Sequence, residues 1–160
     1  MKKALSIGFV CAALLGAALH FLYTWCPQPL VGLFAPVNES VWEHLKLLYW
    51  PFLVVCVPLQ FRAESPAAFW GASAGALLIM PAALLGVYYP ARYGFSIVSL
   101  AFDIILYLLI LALGFYLLSR LQRNARIERL AGVLIMLAGL YGSALFICSA
   151  APLSLPIFQG

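Results

Sequence analysis

The chain has 160 residues, of which 66% are hydrophobic and 9% charged, and its mean hydropathy is +1.06. That is far too apolar for a soluble domain, where about 45–50% of residues are apolar, so the solvent for most of this chain is lipid. The formal charge of +4 does not indicate nucleic-acid binding, because the basic residues sit at the ends of apolar runs and form no stripe interleaved with aromatics.

Lys2 and Lys3 precede an apolar run that ends near Trp25. They resemble the start of a secretory signal, but the run is about 20 residues long, enough to span a bilayer. Ala17-Ala18 is followed by bulky residues with no small-x-small cleavage site, so the reading is an uncleaved first helix. Residues 26–37 hold Pro27, Pro29, Gly32 and Pro36 and read as a loop or short re-entrant turn. A second helix runs from Asn38 to about Phe61, kinked by Pro51 and Pro58. Arg62–Pro66 is a turn. The third helix, Ala67–Tyr89, is rich in Gly and Ala (Gly71, Ala72, Ala74, Gly75, Ala76), a composition that lets helices approach closely in lipid and could also join copies of the chain.

After a turn at Pro90–Gly94, a fourth helix is expected over Phe95–Leu118, with the single charge Asp103 inside it. A basic connection, Arg120–Arg129, leads to a fifth helix over Leu130–Ala151. The expectation is an all-α, polytopic membrane bundle of about five transmembrane helices in one domain, residues 1–160. With the N-terminus cytoplasmic, Lys2, Lys3, Arg62, Arg120, Arg123, Arg126 and Arg129 lie inside and Lys46 and Arg92 outside. That seven-to-two bias predicts N-terminus in and C-terminus out, in the cell membrane. None of the four cysteines shows C-x-x-C spacing, so no zinc finger or thioredoxin-type site is indicated; a Cys26–Cys148 disulfide is geometrically feasible.

Against this apolar background one stretch stands out: Pro36-Val-Asn-Glu-Ser-Val-Trp-Glu-His-Leu-Lys46. At 1.5 Å per residue, His20 lies ~8 Å inside the end of the first helix, His44 ~9 Å inside the second counted from Asn38, and Asp103 ~12 Å inside the fourth counted from Phe95. Ionisable groups inside a membrane are costly unless they find partners, so their common depth marks a candidate site. Glu39, Glu43 and His44 fall on adjoining faces of the second helix. Glu39, Glu43, His44 and Asp103 are thus candidate catalytic residues. His20, His44 and Asp103, with Glu39 and Glu43 as further carboxylates, are candidate ligands for zinc or another divalent metal, since imidazole and carboxylate are its usual nitrogen and oxygen donors. A metal-free version uses a carboxylate as base and His44 as acid. A plainer account also fits: Ser40-Val-Trp-Glu43 is a capping box, Glu43 and Lys46 pair at three residues' distance, and Lys46 snorkels to the interface.

The same stretch, with His20-Phe-Leu-Tyr23 before it, resembles a family of small bacterial integral-membrane proteins of unknown function. That resemblance implies a polytopic membrane protein and no particular activity. Ser40-x-x-x-His44 with an intramembrane Asp103 is also similar to part of the zinc site of alkaline ceramidase and adiponectin-receptor type hydrolases. Those have seven helices and an H-x-x-x-H pair in the last, whereas the fifth helix here has no histidine. Three functions are compatible with these residues: a membrane hydrolase, metal-dependent or not, acting on a lipid or other amphiphile; a structural or assembly subunit; or a small ion or solute transporter. The transporter fits least, because the inner halves of the helices carry almost no polar residues.

Overall fold

The computed structural model describes residues 1–158. Five helices are long and apolar enough to cross a membrane, and they lie within α1 (Lys2–Trp25), α3 (Val41–Leu59), α4 (Pro66–Tyr89), α5 (Leu100–Leu121) and α7 (Ala131–Ala150). Two short helices, α2 (Pro29–Phe34) and α6 (Ala125–Arg129), join them. The described residues contain no strand. Successive spans alternate in direction. One end of the bundle therefore collects the 36–46 stretch, the loop after α4 with Arg92, and the end of α7, and the other collects the start of α1 and the remaining arginines.

The central helix is α4. It packs on α5, α7 and α3, and 61% of its most apolar window is buried, against 22% for α1 and α7. Helices in lipid gain little by hiding apolar surface from one another, so packing depends on close approach. Gly71 provides it: a Cβ there would sit 2.9 Å from both the Ala131 methyl and the Ile127 carbonyl oxygen. The glycine and alanine face is thus used inside the chain, against α7.

Two helices begin later than the sequence predicts. The first is α3, which starts at Val41 because side chains take the preceding amides. Asn38 Oδ1 accepts from the Ser40 N–H at 2.9 Å, and Ser40 Oγ accepts from the Glu43 N–H at 3.3 Å. Only the serine half of the capping box is made. The second is α5, which starts at Leu100 because α4 runs on into a π-helical turn, Pro90–Gly94. That turn is closed by Phe95 N–H on the Pro90 carbonyl (3.1 Å) and Ile97 N–H on the Ala91 carbonyl (3.0 Å). Ser96, at φ 53°, turns the chain out of it. Asp103 accordingly sits in the first turn of α5, ~5 Å from its start, where the helix dipole favours a carboxylate. The ~12 Å depth expected for it is corrected by this boundary. His44 is correspondingly shallower, ~5 Å into α3.

The segment before α3 folds back into the bundle. Helix α2 lies against α7 and α1. Phe34 packs edge-on to Trp50 (5.1 Å) and Phe146 (5.6 Å), and Trp50 stacks on Phe146 (4.9 Å). From the other side, Phe158 reaches Trp42 at 4.8 Å. All four cysteines, Cys26 and Cys148 among them, are free.

Candidate metal centre

Three helices meet in a layer built around Tyr107 of α5. Its hydroxyl donates to the Leu47 carbonyl of α3 at 3.3 Å and lies where any side chain larger than glycine at Gly16 of α1 would collide with it. One turn toward the 36–46 end from each of these residues stand His20, His44 and Asp103, because positions three or four apart share a helix face. The Tyr107 layer sets their common level.

His20 and His44 are in contact, with ring centroids 5.2 Å apart. Glu39 joins them from the loop: its Oε2 is 3.4 Å from His44 Nε2. One donor atom from each of His20, Glu39 and His44 lies within 4.8 Å of the other two. An ion bound at about 2.0–2.2 Å from each donor needs those donors roughly 3–5 Å apart, so the set can close on one ion. His44 is already oriented for it. The ring nitrogen Nδ1 is 2.8 Å from the Ser40 carbonyl oxygen, an acceptor that fixes the proton on Nδ1. The lone pair of Nε2 is thereby directed toward Glu39 and His20, in the way that an outer carbonyl commonly orients a ligating histidine. The Glu39 side chain is 78% exposed and that of His44 32%, so the cluster opens at the surface of the bundle.

Asp103 is not part of this group of three; Glu39 occupies the place expected for it. The carboxylate is nevertheless unusual, since its Oδ1 is buried without a hydrogen-bond partner, as is Nδ1 of His20. Buried polar atoms are nearly always paired. Neither Lys46 nor Arg92 pairs with it: Lys46 is bound elsewhere, and the Arg92 guanidinium lies over the Tyr88 ring at 5.9 Å.

Glu43 points the other way, into a network behind the cluster. Its Oε2 accepts from the Val37 N–H at 2.9 Å and from Lys46 Nζ at 2.7 Å, and its Oε1 accepts from the Ser149 hydroxyl of α7. Lys46 Nζ also donates to the carbonyls of Gly32 (2.6 Å) and Ala35 (3.3 Å), so all three of its protons have acceptors. The side chains are 0% (Lys46) and 3% (Glu43) exposed. Lys46 does not snorkel to the interface. Gly32 needs it, because the amide that would normally bond its carbonyl belongs to Pro36, which has no N–H. Gly32 is itself fixed by space: a Cβ would lie 2.8 Å from Val37 and 3.2 Å from the Tyr23 ring. Glu43 and Lys46 therefore staple α2, α3 and α7 together. Sequence reasoning missed Gly32, Tyr107 and Ser149; the spacing of Gly32 to Pro36 was the only local sign of the first.

The five spans and the clustered polar groups at one end define a multi-pass helical membrane protein with a polar cluster that opens at the surface of the bundle. The chain belongs to the family of unknown function DUF6512, whose model matches residues 1–160. No curated protein and no solved structure matches it.

Proposed function

We propose that this protein is a divalent-metal-dependent hydrolase of the cell membrane that acts, near the headgroup level of the outer leaflet, on a lipid or other amphiphile. The observation that carries the reading is the His20–Glu39–His44 cluster, with His44 oriented by the Ser40 carbonyl. Two imidazoles and one carboxylate would hold a zinc-like ion, the donor set of hydrolytic rather than closed structural sites. Such an ion would make a water a nucleophile at neutral pH. In hydrolysis the water would give one proton to a carboxylate of this chain as its oxygen bonds to the acyl or phosphoryl centre, and that carboxylate would pass the proton to the departing oxygen or nitrogen. Asp103 is assigned to receive the water's proton, which agrees with its buried, unpartnered oxygen on the same layer. Glu43 and Lys46 act as positioning residues, holding the helix that carries His44.

The test is turnover by protein stripped with a chelator and reloaded with zinc, on amphiphiles bearing ester, amide and phosphoester bonds. Hydrolysis that returns with metal, is lost in His44→Ala and is lost in Asp103→Asn while that variant keeps its metal supports the assignment. Metal binding without hydrolysis of any of the three bond types overturns it. In that case the structural reading stands, which the Glu43–Lys46–Ser149 network specifically favours because it spends two of the motif's charges on internal bonds.

A further inference from the structure

At the opposite end of the bundle a second site is formed by α1, α5 and the turn after α5. A cleft of about 610 Å³ is lined by Leu5, Ser119, Arg120, Gln122, Arg123 and Asn124, among others. Its neighbour, a groove of about 290 Å³, shares Leu5 and Ser119 with it and runs on between α1 and α5 past Phe9, Ala112, Phe115 and Tyr116. The two are one feature with a polar mouth and an apolar floor. Among the described residues, no carboxylate lines either part. Neither arginine is paired with an acid among the described residues; Arg120 is held by its own helix, with its guanidinium over the Tyr116 ring at 5.8 Å. That end of the bundle carries Lys3, Arg62, Arg120, Arg123, Arg126 and Arg129 against Glu64 and Glu128, and Glu128 accepts from Ser65 at 2.6 Å.

We propose that this feature binds an anionic phospholipid, with the headgroup phosphate between Arg120 and Arg123 and one acyl chain along the groove between α1 and α5. Charge complementarity selects the headgroup, since two unpaired guanidiniums in an acid-free cleft at the membrane surface suit a phosphate, and Arg does so bidentately. Continuity selects a lipid over a soluble phosphate, because the apolar groove leaves the cleft along the helices, where an acyl chain of the same molecule lies. The site is independent of the metal centre, which is at the other end.

The experiment uses delipidated full-length protein in detergent and native mass spectrometry, with phosphatidylglycerol, phosphatidylcholine and inorganic phosphate as probes. Phosphatidylglycerol is expected to stay bound in preference to phosphatidylcholine and to resist competition by millimolar phosphate. The Arg120→Gln/Arg123→Gln double variant should weaken it roughly 30-fold, the effect of two charges at a membrane surface. Arg126→Gln/Arg129→Gln, outside the cleft, should change it little, and Ala112→Trp, which fills the groove, should abolish it. Equal loss in both arginine pairs means diffuse surface charge and overturns the proposal. Displacement by inorganic phosphate, or unchanged binding in Ala112→Trp, means a headgroup site without an acyl groove and overturns it as well. Equal retention of phosphatidylcholine removes the role of charge and does the same.

Discussion

Glu43 and His44 are neighbours in sequence and serve adjoining faces of the same helix. His44 faces His20 and Glu39, while Glu43 is locked to Lys46, Val37 and Ser149. Removing one member of a buried ion pair leaves the other charge uncompensated, at about 3–5 kcal/mol. Lys46→Met should therefore destabilise the protein by about that much in a detergent unfolding assay, and Glu43→Gln/Lys46→Met should recover a large part of the loss; a double variant no better than the single one contradicts the pairing. Metal affinity divides the residues differently. His44→Ala and Glu39→Gln should weaken zinc binding by more than the roughly 10–100-fold typical of losing an outer partner, whereas Ser149→Ala, measured by the same titration, should leave it near the native value. The rarity of charge made His20, His44 and Asp103 legible as candidates, and the i, i+3 spacing made a Glu43–Lys46 pair legible. Sequence did not reveal that the pair is buried, since that depends on α2 folding back over it. Nor did it decide which of the candidate carboxylates lies nearest the two histidines; Glu39, from the loop, does so.

The long helices were readable as elements because each is an apolar run closed by a turn signal, and the first ends at Trp25 as read. Two starts were not, and in both the cause is local chemistry that periodicity does not register. In α3, Asn38 and Ser40 occupy the amides and delay the helix to Val41; in α5, the π-helical turn at Pro90–Gly94 and the extended residues after it delay it to Leu100. The shift matters for function, because it moves Asp103 to a helix start. Close approach gives a prediction at this scale. Gly71→Leu should drive α4 and α7 apart and cost about 1–3 kcal/mol, as overpacking does, while Gly132→Leu, with nothing within 4 Å of its added Cβ, should cost little. Comparable melting temperatures for the two variants would show that the α4–α7 contact does not depend on the glycine.

As a whole, the molecule separates two kinds of polar site: both histidines with Glu39, Glu43 and Asp103 at one end, and most of the arginines at the other, with an apolar bundle between. The positive-inside bias predicts that the end carrying most of the arginines lies in the cytoplasm. In a background without the native cysteines, Gln122→Cys should resist a membrane-impermeant thiol reagent in intact cells, and Ser154→Cys should react; the reverse pattern would put the His20–Glu39–His44 cluster on the cytoplasmic side. The account depends most on that cluster. Its most direct test is zinc stoichiometry together with X-ray absorption on the purified protein after equilibration with the metal. The account predicts one zinc per chain, with two imidazole nitrogens at about 2.0–2.1 Å and oxygen completing the shell, and loss of the imidazole signal in His20→Ala/His44→Ala. Zinc at background level, or a bound ion whose spectrum is unchanged in that double variant, would contradict it.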